Sequence, residues 1–187
     1  MKVSVVMLFY PATTQSVPGT TVSGLGDTKF GVKYRFVQET DSRPQASFYP
    51  SAEFPTGNNA NGIGNSRTWY RFPLWIQKSS GRWTTYGGGG YAINAAPGAT
   101  NFWYGGWLVQ RDFSENVTAG GEVYYEGPQF VGNKWSTLYN AGSYISLTKD
   151  FGILFGVGHS ISGDNQGRGI YRAGLERRAP SKRNVAR

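Results

Sequence analysis

The chain has 187 residues, with 19 Lys+Arg against 11 Asp+Glu, a net charge of +8, and 27 glycines. Glycine at about twice its usual share of roughly 7%, only eight leucines, no cysteine and 16% aromatic residues exclude several classes. A helical bundle, a disordered chain, a disulfide scaffold and a thiolate metal site are all ruled out. An all-β protein with close backbone approaches is what remains.

No run of about 18 apolar residues occurs, so no transmembrane helix is expected. Lys2 is followed by the apolar stretch 3–9, which is too short for a signal peptide and lacks a small-residue cleavage site. Two readings stay open: the protein is cytoplasmic, or Met1 lies inside a longer natural chain.

Period-two alternation, which puts one residue class on each face of a strand, predicts about ten strands. In chain order they are 2–9, 27–38, 44–54, 66–77, 82–94, 102–111, 116–126, 136–148, 151–161 and 169–177. In 27–38, Phe30, Val32, Tyr34 and Phe36 oppose Lys29, Gly31, Lys33 and Arg35. In 44–54, Ala46, Phe48, Pro50, Ala52 and Phe54 oppose Gln45, Ser47, Tyr49, Ser51 and Glu53. The runs 66–77, 82–94 and 102–111 alternate less cleanly, because Trp and Gly occupy both faces. In 116–126, Val123 and Tyr125 oppose Glu122 and Glu126; in 169–177, Tyr171, Ala173 and Leu175 oppose Arg172, Gly174 and Glu176.

Most of these strands are longer than the usual five or six residues. Ten residues at about 3.3 Å each, tilted about 45°, rise about 23 Å, the height of a bilayer-spanning strand. The connections alternate in length. Long ones, 10–26, 55–65, 95–101, 127–135 and 162–168, are rich in Gly, Asn, Pro and Ser; short ones fall near 39–43, 78–81, 112–115 and 149–150. Long loops on one rim and tight turns on the other is the plan of an outer-membrane barrel, with both termini on the tight-turn side. The chain then divides into a barrel domain, 1–177, and a basic, disordered tail, 178–187.

On this plan the polar face lines a lumen. Its candidate residues are Lys29, Lys33, Arg35, Glu53, Arg67, Arg71, Glu122, Glu126, Arg172 and Glu176. The aromatics Phe9, Tyr10, Phe36, Phe54, Tyr70, Trp103, Tyr125 and Phe151 fall near strand ends, where a membrane interface favours amphipathic rings. In a soluble sandwich the same polar face would meet solvent, and the same aromatics would pack in a core.

With the strands placed, the chain resembles the MetA-pathway of phenol degradation family, bacterial outer-membrane β-barrels labelled transporters. The resemblance is carried by Gly24-Leu25-Gly26-Asp27 with the strand to Phe36, and by Pro50-Ser51-Ala52-Glu53-Phe54-Pro55-Thr56-Gly57. Leu147 to Gly152 and Tyr171 to Glu176 fit its closing strands, so it covers about 1–177. It implies an outer-membrane location, lipid as the surrounding partner, and a role in aromatic catabolism. The chain departs from the family in opening within a strand, which predicts a truncated or mis-called start and a full-length form of twelve strands. It also ends on a basic tail instead of a strand with a terminal aromatic.

Catalytic, metal and cofactor constellations are not expected. His159, the only histidine, precedes Ser160, and adjacent strand residues point to opposite faces. Asp164 reads as part of a loop turn, and Gly24-Leu25-Gly26-Asp27 lacks the strand–helix setting of a nucleotide loop. Five of the 19 cations, Arg177, Arg178, Lys182, Arg183 and Arg187, lie at the C-terminal end, and without them the balance is +3. Nucleic acid is therefore not expected as a partner. The expectation is an all-β, antiparallel, up-and-down transmembrane barrel: a non-enzymatic, porin-like passive channel or transporter for small, including aromatic, solutes. The alternative is a soluble β-barrel or sandwich that binds a small ligand or nucleic acid.

Overall fold

Alternating sequences extend because the pleat then gives each residue class its own side. The computed structural model describes residues 2–9, 12–17, 20–61, 63–148, 151–163 and 169–177, with side chains from Gly24 to Gly163 within those spans. The strands are β1 (Lys2–Phe9), β2 (Ala12–Val17), β3 (Thr20–Leu25), β4 (Thr28–Val37), β5 (Gln45–Phe48), β6 (Ser51–Phe54) and β7 (Trp69–Ser80). They continue as β8 (Trp83–Asn94), β9 (Phe102–Asp112), β10 (Val117–Glu126), β11 (Ser136–Ser146), β12 (Phe151–Ser162) and β13 (Gly169–Arg177). Among the described residues the one helical element is a 3-10 turn at Asn59–Asn61.

The fold is all-β and antiparallel, as the alternation predicts. One eleven-stranded sheet runs β1-β4-β5-β7-β8-β9-β10-β11-β12-β13, with β6 continuing the lane of β5 between β4 and β7. From β7 onward each strand pairs with its sequence neighbour, an up-and-down meander. The ten lanes correspond to the ten predicted strands. β1 and β13 are the outermost lanes, and among the described residues they pair only with β4 and β12.

Three details differ from expectation. The long connection 10–26 contains a hairpin, β2 with β3, paired from Ala12↔Leu25 to Val17↔Thr20. The run 44–54 is broken at Tyr49–Pro50 although its register with β7 does not slip there: Phe48↔Leu74 on one side of the break continues as Ser51↔Arg71 on the other. The reason is two missing donors. Tyr49 N–H donates to Pro73 O at 3.1 Å, but Pro73 has no N–H to return. Val32 N–H donates to Pro50 O at 3.0 Å, and Pro50 likewise has none. Finally, β7 starts at Trp69 and not at 66, which leaves Arg67 in the preceding loop.

The sheet is strongly curved. One hollow of about 500 Å³ is lined by residues from Lys29 on β4 to Tyr124 on β10. Those six lanes would spread over about 24 Å in a flat sheet, so a single hollow bordered by all of them requires the sheet to bend round it. Glycine thins the wall where it bends. Gly88 pairs with Gly106 and Gly89 with Gly105, and further along Gly120, Gly142 and Gly156 form one cross-strand row. A Cβ on Gly90 would stand 2.5 Å from Phe72 O and 2.6 Å from Pro73 Cα, so β7 and β8 approach as only glycine permits.

The longer loops are fastened to one another on a single rim. Asp27, only 3% exposed, accepts the Gly57 N–H at 2.9 Å through Oδ1 and the Asn65 N–H at 2.5 Å through Oδ2. Thr28 N–H donates to Thr56 Oγ1 at 2.8 Å. Asn65 Nδ2 donates to Asn94 Oδ1 at 3.0 Å, and Asn94 N–H to Asn101 Oδ1 at 2.9 Å. Ile63, 2% exposed, is the largest fully buried side chain among the described residues and approaches Gly24. The tail 178–187 and the turn expected at Asp164 lie outside the described residues.

Candidate functional site: the concave face

Each strand of the curved sheet sends alternate residues to its two sides, and the sides differ in kind. On β7, Arg71, Pro73, Trp75 and Gln77 line the hollow, while the alternating Tyr70, Phe72 and Leu74 are 41–45% exposed on the convex side, as is Ile76, which also borders the hollow. β9 and β12 repeat this, with Trp103, Trp107 and Val109, and Ile153, Phe155 and Val157, exposed. The convex side is therefore apolar, and the charges gather on the concave side.

The concave residues fall into cross-strand rows set by the register. One row runs Lys29, Glu53, Trp69 and Asn94. The next is Gly31, Ser51, Arg71 and Ala92. A later one, Gln77, Tyr86, Leu108, Glu122, Asn140 and Gly158, crosses from β7 to β12. Tyr49, at the break between β5 and β6, lays its ring over Gly31, where an added Cβ would meet it at 2.6 Å.

Arg71 is the centre of the arrangement. Its guanidinium lies 4.3 Å from the centroid of the Trp69 ring and 5.0 Å from that of Tyr104, contacts in which a cation is attracted to the ring face. Tyr124 and Glu126 lie within reach of its charge. Glu126 accepts from Gln129 Nε2. Among the described residues no carboxylate closes a direct ion pair with Arg71. The pair that does form, Lys78 Nζ to Glu39 Oε1 at 3.6 Å, lies at the tight-turn rim.

A second hollow, about 280 Å³, lies over the bare row Gly120, Gly142 and Gly156. Tyr86 and Glu122 line both hollows, so the two adjoin along one trough. Glu122 Oε2 accepts from Asn140 Nδ2 at 3.3 Å.

The ten expected lumen residues divide as follows. Lys29, Lys33, Arg71 and Glu122 line the larger hollow. Glu53 follows Lys29 in its row, Arg35 pairs with the buried Ser47, and Glu126 lies within reach of the Arg71 charge. Arg172 and Glu176 pair in register with Gly156 and Gly152. Arg67 does not join them: it stands exposed in the loop before β7. Tyr49, Trp75, Tyr86, Tyr104 and Tyr124 also line the larger hollow; alternation puts Tyr49 and Tyr124 on the polar face, while Trp75, Tyr86 and Tyr104 were not expected there. Their odd or even positions beside Arg71 and Glu122 carry that signal, which the Trp- and Gly-rich runs obscure.

His159 is exposed on the convex side, and its Nδ1–H donates to Ser160 O at 2.6 Å, while the Ser160 side is buried. Among the described residues no three acidic or histidine side chains gather into a metal site. Comparison with protein-family models and with curated proteins finds no match to this chain.

Proposed function

We propose that the chain forms an outer-membrane β-barrel of bacteria, a passive channel or transporter that passes small solutes, aromatic ones included, along its concave face. The observation that carries this reading is the inversion on β7. Its apolar residues Tyr70, Phe72 and Leu74 face outward, and its polar ones, Arg71 and Gln77, face a hollow. In water an apolar belt repeated across β7, β9, β10 and β12 would far exceed the few hundred Å² that a soluble monomer exposes. In a bilayer the same belt meets hydrocarbon and needs no cover.

Element length and girdle placement support it. Strands of ten to twelve residues, tilted about 45°, rise about 23–28 Å, which matches an apolar band of about 25 Å. Tyr125 and Trp135 meet at 6.1 Å near the long-loop rim, and Arg111 lies over Trp83 and Phe113 at the tight-turn rim. Ring side chains with a polar edge suit the two interfaces. Closure of the ten lanes into a barrel is part of the proposal, because lipid leaves no solvent for the free edges of β1 and β13. The link to aromatic catabolism rests on the resemblance carried by Gly24–Asp27 and Pro55–Gly57.

The test is reconstitution of the full chain from detergent into planar bilayers. Stepwise conductance, together with a requirement for detergent to stay monomeric, is expected. A detergent-free monomer with a cooperative thermal transition would overturn the reading in favour of a soluble ligand-binding sheet.

A further inference from the structure

The larger hollow is charged unevenly and its polar atoms are incompletely matched. Lys29, Lys33 and Arg71 stand at its β4–β7 end, with Glu122 as the carboxylate at the other. Arg71 is steadied by Trp69 and Tyr104, yet its Nε–H has no partner. The hydroxyls of Tyr49 and Tyr104 and the Oε1 of Gln45, which line the same hollow, have none either. A buried polar group without a partner costs about 1–3 kcal/mol, so these side chains, shut off from solvent as they stand, gain by turning toward a molecule that enters the hollow. The volume, about 500 Å³, is that of a small-molecule site.

We propose that this hollow is a binding subsite for a small aromatic carboxylate. The guanidinium of Arg71 presents a planar fork suited to the carboxylate, with Lys29 and Lys33 adding charge beside it. The rings of Tyr49, Trp75 and Tyr86 receive the aromatic body, as aromatic pairs stack offset or edge to face. Gln45 Oε1 only accepts, so it suits a hydroxyl on the ring and not the carboxylate itself. Glu122 repels the carboxylate from the opposite end and so fixes which way round the molecule lies. The proposal rests on reading the concave face as the solute-exposed interior of the channel.

The experiment is isothermal titration calorimetry of the full chain in detergent micelles, with micelles alone as the blank. The probes are benzoate, 4-hydroxybenzoate, benzyl alcohol and acetate. Benzoate is expected to bind saturably, 4-hydroxybenzoate more tightly, and benzyl alcohol and acetate at least about tenfold more weakly. Arg71→Gln weakens benzoate binding about tenfold or more with an unchanged far-UV spectrum. Lys33→Gln weakens it by less and serves if Arg71→Gln does not fold. Arg43→Gln, on the exposed tight-turn side, leaves binding as it is. Absence of saturable benzoate binding, equal binding of benzyl alcohol, or wild-type affinity in both hollow variants would overturn the proposal. Conductance without benzoate binding removes the subsite alone; benzoate binding without conductance removes the channel and leaves the subsite.

Discussion

Asp27 and Gly57, thirty residues apart in the chain, are joined by a 2.9 Å hydrogen bond from the Gly57 N–H to the buried Asp27 carboxylate. Gly57 has to be glycine for this: a Cβ there would meet Ile63 O at 2.5 Å. Asp27→Ala removes two backbone partners at once and leaves the Gly57 and Asn65 N–H groups without acceptors. It is expected to destabilise the fold by about 2–4 kcal/mol, read as a lower urea midpoint of the refolded protein. Thr56→Val, which loses more exposed bonds from Thr28, costs about 1 kcal/mol by the same measurement.

A charge on the convex side separates the membrane reading from the soluble one. Phe155, on β12, is exposed between Ile153 and Val157. Phe155→Lys costs about 2–4 kcal/mol when folding is measured into lipid vesicles, because the ammonium stands in the apolar band. In a soluble protein the same substitution at an exposed site stays within about 0.5 kcal/mol.

Two glycines, on β8 and β10, are expected to respond oppositely to one methyl group. Gly90→Ala drives its Cβ into the backbone of Phe72 and Pro73 and loses about 1–3 kcal/mol. Gly121→Ala meets only Asn140 O at 3.4 Å, and gains about 0.5–1 kcal/mol from a less flexible unfolded chain. Thermal or urea midpoints of the two variants decide this.

The proline break in the third lane makes a local prediction. Pro73→Val supplies the donor that the Tyr49 carbonyl lacks, worth about 0.5–1.5 kcal/mol, and gives up about 0.4–1 kcal/mol of unfolded-state restriction. Net stability therefore moves by less than about 1 kcal/mol. The readout is hydrogen exchange: the amide introduced at position 73 is strongly protected, and exchange near Tyr49 slows.

The lanes were legible in the sequence because period-two alternation is a local property, and Lys29 to Phe36 carries it without a fault. Three features were not. Thr13–Thr14 and Thr20–Thr21, either side of Pro18-Gly19, form a polar hairpin, and polar Thr-rich runs read as loop when only apolar alternation is sought. The break at Tyr49–Pro50 depends on Pro73, which lies across the ladder and far along the chain. Arg67 keeps the parity of Arg71 but sits beyond the end of β7, and parity says nothing about where a strand begins. The concave site was legible as a list of charges. Its aromatic half was hidden, since Trp69, Trp75 and Tyr104 belong to runs with rings on both faces.

Tyr86 and Glu122 belong to both hollows, and in the proposed channel that shared boundary would separate holding from passing. An anion drawn to Arg71 would meet a like charge at the edge the two chambers share, so the solute gripped most firmly would be the one that advances least. A neutral molecule would find no such step. Such a trough would rank solutes in opposite orders for residence and for transit.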